Sequence, residues 1–434
     1  MPPFLLAACL LAAAPLREID VRLPCRDAVP GTLAVRVVLP AHGRYGQEAP
    51  VVVVVPGGWG GSSLSPLLAP VAEYGGIEVR FCFPGEGDGR ARSGGRGDWR
   101  GPAATRALAA VLDFAAGRAP TEDGRTIGQI AAPLTPLTAQ IGMLAFDNGG
   151  NSAVLVLAEQ PDSTRGVAWV AMWETPVGDG MPTALPGARG EGPNPAWNAA
   201  AGSWDAATLA WDARLPGADG LPGAFYEDLD RDGRFSPGDR LLARLVTTDN
   251  GGQQHVVYPL CVVRAAEAGH VCGARWPAQV LDGDETATFW RERNAGRFEA
   301  GYDPFLQAAA RHGDLAAMVL GSRRDHALAA PGHDHLLAAY DGWRRAGARF
   351  LRLNPGRAYI GAVAGEAAGA TMVTTPGGVA LSRATLPDRL PPPDVCPPGL
   401  MCAAGALELA DRVHAGHYEP DLERPLFPWP PAAD

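Results

Sequence analysis

The chain has 434 residues, 47% hydrophobic and 19% charged, with a formal net charge of -10 at pH 7, which is enough for one large α/β domain with an insertion or for two domains. All 37 basic residues are arginine and they face 47 acidic ones; this balance excludes nucleic acid as the partner, because phosphate binding needs a basic face. Beyond the N-terminus there is no apolar run long enough for a membrane span.

Residues 1–16, "MPPFLLAACLLAAAPL", form an apolar block ending in small residues, as an export signal peptide does, although the basic start of such a signal is lacking. "LAAC", ending at Cys9, resembles a lipoprotein cleavage box. Setting Cys9 aside leaves Cys25, Cys82, Cys261, Cys272, Cys396 and Cys402, an even set whose last four fall into two short-range pairs. Such pairs predict disulfides in an oxidising compartment, and therefore a secreted, periplasmic or cell-envelope protein. None of the spacings is that of a zinc site.

"PVVVVVPGGWGG" (50–61) is a continuous β-branched run closed by a glycine turn, the pattern of a strand buried on both faces of a parallel sheet. "GIEVRFCF" is a second strand, followed by the loop "PGEGDGRARSGGRGDW". "PAATRALAAVLDFAAGR" has apolar residues at helical spacing; "QIGMLAFD" is a strand, "GGNSAVLVLAEQ" a helix and "GVAWVAMWETP" a further strand. Over 177–300 the alternation lapses into Gly, Pro, Trp and Asp-rich sequence, read as an insertion or cap. It resumes with "DLAAMVLGSRRDH" as a strand and its loop, "DHLLAAYDGWRRAG" as a helix and "ARFLRLNP" as a strand; 391–434 is a proline-rich tail. The predicted fold class is α/β, a doubly wound, mostly parallel sheet, with its core divided between 17–176 and 301–390.

Three motifs in this order, "PGGWGG", "FPGEGDG" and "LAFDNGG", make the chain resemble the α/β-hydrolase superfamily over Pro50 to Pro355, apart from the insertion. In that fold a G-x-S-x-G elbow between strand and helix presents the nucleophile. Here Ala145, Asp147 and Gly149 stand at the first glycine, the serine and the last glycine, which makes the elbow degenerate. The resemblance implies an oxyanion hole from the backbone N–H groups of Asn148 and Trp59. It also implies an orienting acid at Asp325, in "GSRRDH", or at Glu174 after "AMW".

A carboxylate at the elbow argues against serine-type acyl transfer, because it would repel the oxyanion that the hole receives. Relatives with aspartate there, such as haloalkane dehalogenases and epoxide hydrolases, displace at carbon and form an alkyl ester, which a histidine-activated water then cleaves. The loop after the last strand, "LNPGRAYIG", holds no histidine, and Arg357 cannot serve as a base near neutral pH. A substitute would come from His326 beside Asp325, from His333 and His335 in "PGHDH", or from His414 and His417. Ser152, five residues past Asp147, reads as a packing or capping serine.

"DLDRDGRFSPGD" (228–239) places Asp228, Asp230 and Asp232 at alternate positions and Gly233 at the sixth. The Arg234 carbonyl stands seventh, Ser236 ninth and Asp239 twelfth. This is the oxygen spacing of an EF-hand-type Ca²⁺ loop, with Phe235 as its apolar anchor. The terminal Asp and the Pro237-Gly238 pair make it resemble dockerin loops more than a full EF-hand. The expectation is an exported hydrolase-fold protein acting on a small molecule. Asp147 would be the nucleophile or water-activating base, and a structural Ca²⁺ would pin the insertion. The alternative is a catalytically inactive scaffold that binds a ligand or a protein partner.

Overall fold

The computed structural model describes residues 16–58, 62–65, 71–98, 100–177, 197–198, 203–204, 206–217, 219–242, 244–248, 253–273, 275–292, 304–323, 333–365, 369, 379–382, 385–386, 389–391, 397–419 and 422–428. The first part of the chain forms β1 (Arg17–Leu23), β2 (Leu33–Leu39), β3 (Glu48–Val55), β4 (Ile77–Phe81), β5 (Thr135–Phe146) and β6 (Val167–Trp173). Helices α1 (Pro102–Ala115), α2 (Ile127–Ala131) and α3 (Gly149–Glu159) lie between them in sequence. The insertion supplies β7 (Trp197–Asn198), β8 (Ser203–Trp204), β9 (Leu209–Pro216), β10 (Pro222–Glu227), β11 (Arg240–Leu241), β12 (Leu245–Thr248), β13 (Gln254–Val257), α4 (Leu260–Ala268) and α5 (Gly283–Glu292). The chain then forms α6 (Pro304–Arg311), β14 (Ala316–Leu320), α7 (Asp334–Ala346), β15 (Phe350–Leu353), α8 (Arg357–Ala364) and α9 (Pro398–Ala415).

Eight strands make one sheet in the order β1-β2-β4-β3-β5-β6-β14-β15. β4, β3, β5, β6, β14 and β15 run parallel, and β2 joins β1 and β4 antiparallel. The central strands are apolar on both faces because both are covered. Ile141, Met143 and Ala145 of β5 enter one core with Leu108, Phe114, Leu157 and Trp343, from α1, α3 and α7. Leu144 and Phe146 enter the other with Trp169, Met318, Tyr359 and Leu407, the last two from α8 and α9. This is the doubly wound, mostly parallel α/β architecture expected from the sequence.

Local chemistry starts and stops these elements. Pro102 opens α1, where the missing N–H is no loss, and the Asp98 carboxylate accepts the N–H groups of Ala103 (2.6 Å) and Ala104 (3.2 Å). Thr126 and Gln129 form a reciprocal capping box on α2. On β5, Gly142 has no side chain because the fully buried Trp169 ring of β6 lies over it, 1.9 Å from where a Cβ would stand.

Two expectations are corrected. Cys25, Cys82, Cys272 and Cys402 are thiols and not halves of disulfides, so neither short-range pair forms. Cys402 is buried inside α9 against the sheet, and Cys272 packs beside the insertion's own core. The side chain of Cys261, and Cys396, lie outside the described residues. Where the sequence reads as a proline-rich tail, the structure has the 18-residue α9, which covers β5, β6 and β14.

Within the insertion, β9, β10 and β11 form a three-stranded antiparallel sheet, and β12 pairs with β13. It has a separate core of Phe225, Tyr258, Val262 and Val280, edged by Trp211 and Trp276. Among the described residues no helix is long and apolar enough to cross a membrane.

Candidate active site

The elbow is built by strand ends that leave no space for side chains. Asp147 follows the last residue of β5 and has φ 46, a left-handed conformation that costs a non-glycine residue about 1–3 kcal/mol. Its N–H donates to the carbonyl of Trp173 (2.9 Å), so the ladder with β6 is completed before the chain turns, and Gly149 begins α3 two residues later. A Cβ on Gly150 would lie 2.0 Å from the Thr175 hydroxyl, and one on Gly57 would lie 2.7 Å from Asp147 Cβ. Close approach, more than flexibility, explains these glycines. Ala145 is accommodated because it points into the core formed with α1 and α3.

The same construction recurs at two further strand ends, of β6 next to β5 and of β15 at the edge of the sheet. Glu174 (φ 44) follows β6 and donates its N–H to Leu320 (2.8 Å); Asn354 (φ 61) follows β15 and donates to Val319 (2.8 Å). Three polar side chains thus leave the carboxyl edge of a parallel sheet from left-handed positions, where ligands bind in open α/β folds.

The half-buried Asp147 carboxylate accepts the N–H of Gly58, from the glycine turn after β3, at Oδ2 (3.0 Å). Glu174 is 1% exposed, and its Oε1 accepts the hydroxyl of Ser322, in the loop after β14 (2.9 Å). Asn354 Oδ1 accepts the Gly321 N–H (2.9 Å) while its Nδ2 donates to the Gly321 carbonyl (3.1 Å), locking the loops after β14 and β15 together. Gly356, in the latter loop, donates its N–H to Glu408 of α9 (2.6 Å).

Behind the glycine turn lies an ion pair that the sequence did not reveal. Arg100 (φ 67, 1% exposed) binds Glu86 and donates Nη2–H to the Gly57 carbonyl (2.9 Å). Glu86 Oε2 accepts both the N–H (3.0 Å) and the hydroxyl (2.6 Å) of Ser62. Burial works to raise the Glu86 carboxyl, but the Arg100 charge and these hydrogen bonds outweigh it and hold the group below its ordinary value. "FPGEGDG" marked the loop but not this role, because the partner lies 14 residues on, in a segment without periodicity.

Of the remaining candidates, Trp59, Asp325 and His326 lie outside the described residues. Asn148 is fully buried beside Asp147, and its carboxamide has no hydrogen-bond partner among the described residues. Ser152 is buried within α3, away from the apex, as expected of a packing residue. His333 and His335 are buried at the start of α7, with ring centroids 6.3 Å apart. His414 is excluded as the base: it stacks on Tyr45 (3.8 Å) and meets Gln140 (3.3 Å), which lies about 20 Å back along β5 from Asp147. His417, just past the end of α9, is excluded with it. Arg357 is exposed at the first residue of α8.

In the acidic loop, one carboxylate oxygen each of Asp228, Asp230 and Asp232 lie within 4.8 Å of one another. Asp228 is 8% exposed and accepts the N–H groups of Asp232 (3.1 Å) and Gly233 (2.8 Å). Asp239 stands apart from that cluster; its oxygens accept the N–H groups of Leu229 (2.8 Å) and Ser236 (2.6 Å), tying the loop's exit to its entry. Arg234 donates its N–H to Asp232 (2.7 Å), and Phe235, 40% exposed, sets its ring edge to Tyr226 (5.5 Å). An N–H from Asp232 pulls the Asp230 carboxyl down, yet desolvation and the neighbouring carboxylates leave it above its ordinary value.

No protein-family model matches the sequence, and no curated protein matches it. Among solved structures, it is similar to brefeldin A esterase, a bacterial homologue of human hormone sensitive lipase (14% identity, TM-score 0.42, 94% of this chain and 81% of that one). It is also similar to the esterase Est22 (12%, TM-score 0.38, 79% and 72%). A third is the α/β hydrolase GrgF from Penicillium sp. sh18 (14%, TM-score 0.34, 76% and 86%). Likeness this distant assigns no role to any residue; what the sheet establishes by itself is a doubly wound, mostly parallel α/β fold.

Proposed function

We propose that this protein is a hydrolase that attacks an electrophilic carbon of a small molecule with the Asp147 carboxylate. The observation that carries the reading is the Gly58 N–H held 3.0 Å from Asp147 Oδ2 at the apex of the elbow. That backbone donor fixes the carboxylate at the edge of the sheet where ligands bind in open α/β folds. In the first step an Asp147 oxygen forms a bond to the substrate carbon, and the leaving group departs with the bonding electron pair. In the second, water adds to Asp147 Cγ and gives its proton to a base. The oxyanion formed beside Gly58 N–H collapses, expelling the alcohol and restoring the carboxylate. We assign the base to His326, the orienting acid to Asp325 or Glu174, and the remaining oxyanion donors to Trp59 and Asn148.

The test is turnover in H₂¹⁸O on a panel of esters, haloalkanes and epoxides. The peptide containing Asp147 is expected to gain ¹⁸O, because each hydrolytic cycle exchanges a carboxylate oxygen. Asp147→Asn should lower turnover by about 10³-fold or more. Equal rates in the parent and variant would remove the reading. A second reading, a catalytically silent scaffold that binds a ligand or partner, is favoured by Asn354, whose carboxamide closes the strand end where a base would otherwise stand. Saturable binding without turnover on the whole panel would select it.

We further propose export through the apolar segment 1–16 and a structural Ca²⁺ held by Asp228, Asp230 and Asp232, with the Arg234 carbonyl, Ser236 and Asp239 completing the set. Converging hard oxygen donors on a loop with left-handed Arg231 and Gly233 support the metal. Chelation by EDTA should lower the melting temperature of the insertion, and added Ca²⁺ should restore it. Asp230→Ala should abolish both responses; an unchanged melting temperature on chelation would rule the ion out.

A further inference from the structure

The carbonyl that Arg100 grips and the N–H that Asp147 receives belong to one peptide bond, between Gly57 and Gly58. A trans peptide is planar, and its C=O and N–H point in opposite directions. Fixing the oxygen on one side therefore aims the hydrogen on the other. We propose that Arg100 is a positioning residue that acts through this peptide, orienting and polarising the Gly58 N–H toward Asp147, with Glu86 holding its guanidinium in place. The proposal rests on the reading of Asp147 as the working carboxylate.

The surroundings support a device built for that alignment. Arg100 is 1% exposed, adopts a left-handed φ of 67 and lies 4.2 Å over the Phe83 ring. Its Nε is buried without a partner among the described residues, a cost accepted to bring the other nitrogens to Glu86 and Gly57. Glu86 in turn binds the N–H and hydroxyl of Ser62, so one ion pair grips the glycine turn near both ends. A cation on the carbonyl strengthens the opposite N–H as a donor, since linked hydrogen bonds polarise one another. Losing it removes a hydrogen bond that opposes a flip of this peptide and leaves the Gly58 contact with Asp147 to hold the orientation among the described residues. Gly57 and Gly58 themselves offer little resistance, because glycine accepts both peptide orientations.

The test reads the amide proton shift of Gly58 by NMR in the full chain. In the parent, Asp147→Ala is expected to move this proton upfield, as its acceptor is lost. Arg100→Met should move it the same way with Asp147 still present, and in that background Asp147→Ala should add little. If Asp147→Ala leaves the Gly58 proton unmoved in the parent, the contact itself is absent, and both the carboxylate reading and the proposal fall. If Asp147→Ala moves it fully in both backgrounds, Arg100 does not position the peptide, and the carboxylate reading stands alone. Should Arg100→Met fail to fold, Glu86→Gln keeps the guanidinium but loosens it. A partial loss of the Asp147 response then supports the proposal, and a full response overturns it.

Discussion

Asp411→Ala is expected to lower the unfolding free energy by about 3–5 kcal/mol, read as a fall in the urea midpoint at constant slope. Asp411 is fully buried on α9 and receives both Nε (3.0 Å) and Nη2 (2.7 Å) of Arg44, itself 3% exposed. The hydroxyls of Tyr45 (3.0 Å) and Tyr359 (2.9 Å) donate to the same carboxylate. Desolvation, with the Asp411 charge behind it, pushes both phenols upward, so they remain protonated donors. Alanine would strand the Arg44 cation away from water, and that desolvation sets the size of the effect. The pair Arg165–Asp162, with side chains 77% and 95% exposed, supplies the contrast: Asp162→Ala should cost less than about 1 kcal/mol.

Gly149→Ala should cost about 1–3 kcal/mol and move the Asp147 carboxylate out of register. The added Cβ would stand 2.7 Å from the Pro56 carbonyl oxygen and 2.8 Å from that of Val55. These are backbone atoms at the end of a central strand, so no rotamer change relieves the clash, and the elbow itself must shift. Activity should therefore fall by more than the loss of stability accounts for, because the Gly58 contact depends on that position. Gly128, exposed in α2 with only Thr126 Oγ1 nearby at 3.9 Å, is the control; alanine there should be neutral or slightly stabilising.

Which parts of the molecule could be read in advance follows from where the information lies. β3, β5, β6 and β14 were legible because strands covered on both faces are apolar throughout, and Asp147 and Glu174 were legible as the residues that follow such strands. β1 was not, because Arg17, Glu18, Asp20 and Arg22 give an edge strand a polar face. α9 was missed for a related reason. Glu408, Asp411 and Arg412 look like solvent-facing residues, and only their distant partners Arg44, Arg352 and Gly356 show why they are buried. The paired cysteine spacing misled because proximity in sequence does not by itself bring two thiols into bonding geometry; Cys272, of one pair, packs beside the insertion's core, and Cys402, of the other, is buried in a helix against the sheet, each as a thiol. The clamp from Glu86 through Arg100 to Gly57 joins residues brought together only by folding, and no local pattern encodes it.

The left-handed turn at position 147 is dictated from outside that residue, by the carbonyl of Trp173 and by glycines whose neighbours leave them no side chain. The corner thus works as a socket: its shape belongs to the strands, and the functional group plugged into it is a separate choice. A fold made this way can exchange the side chain at that corner for another while its frame stays still.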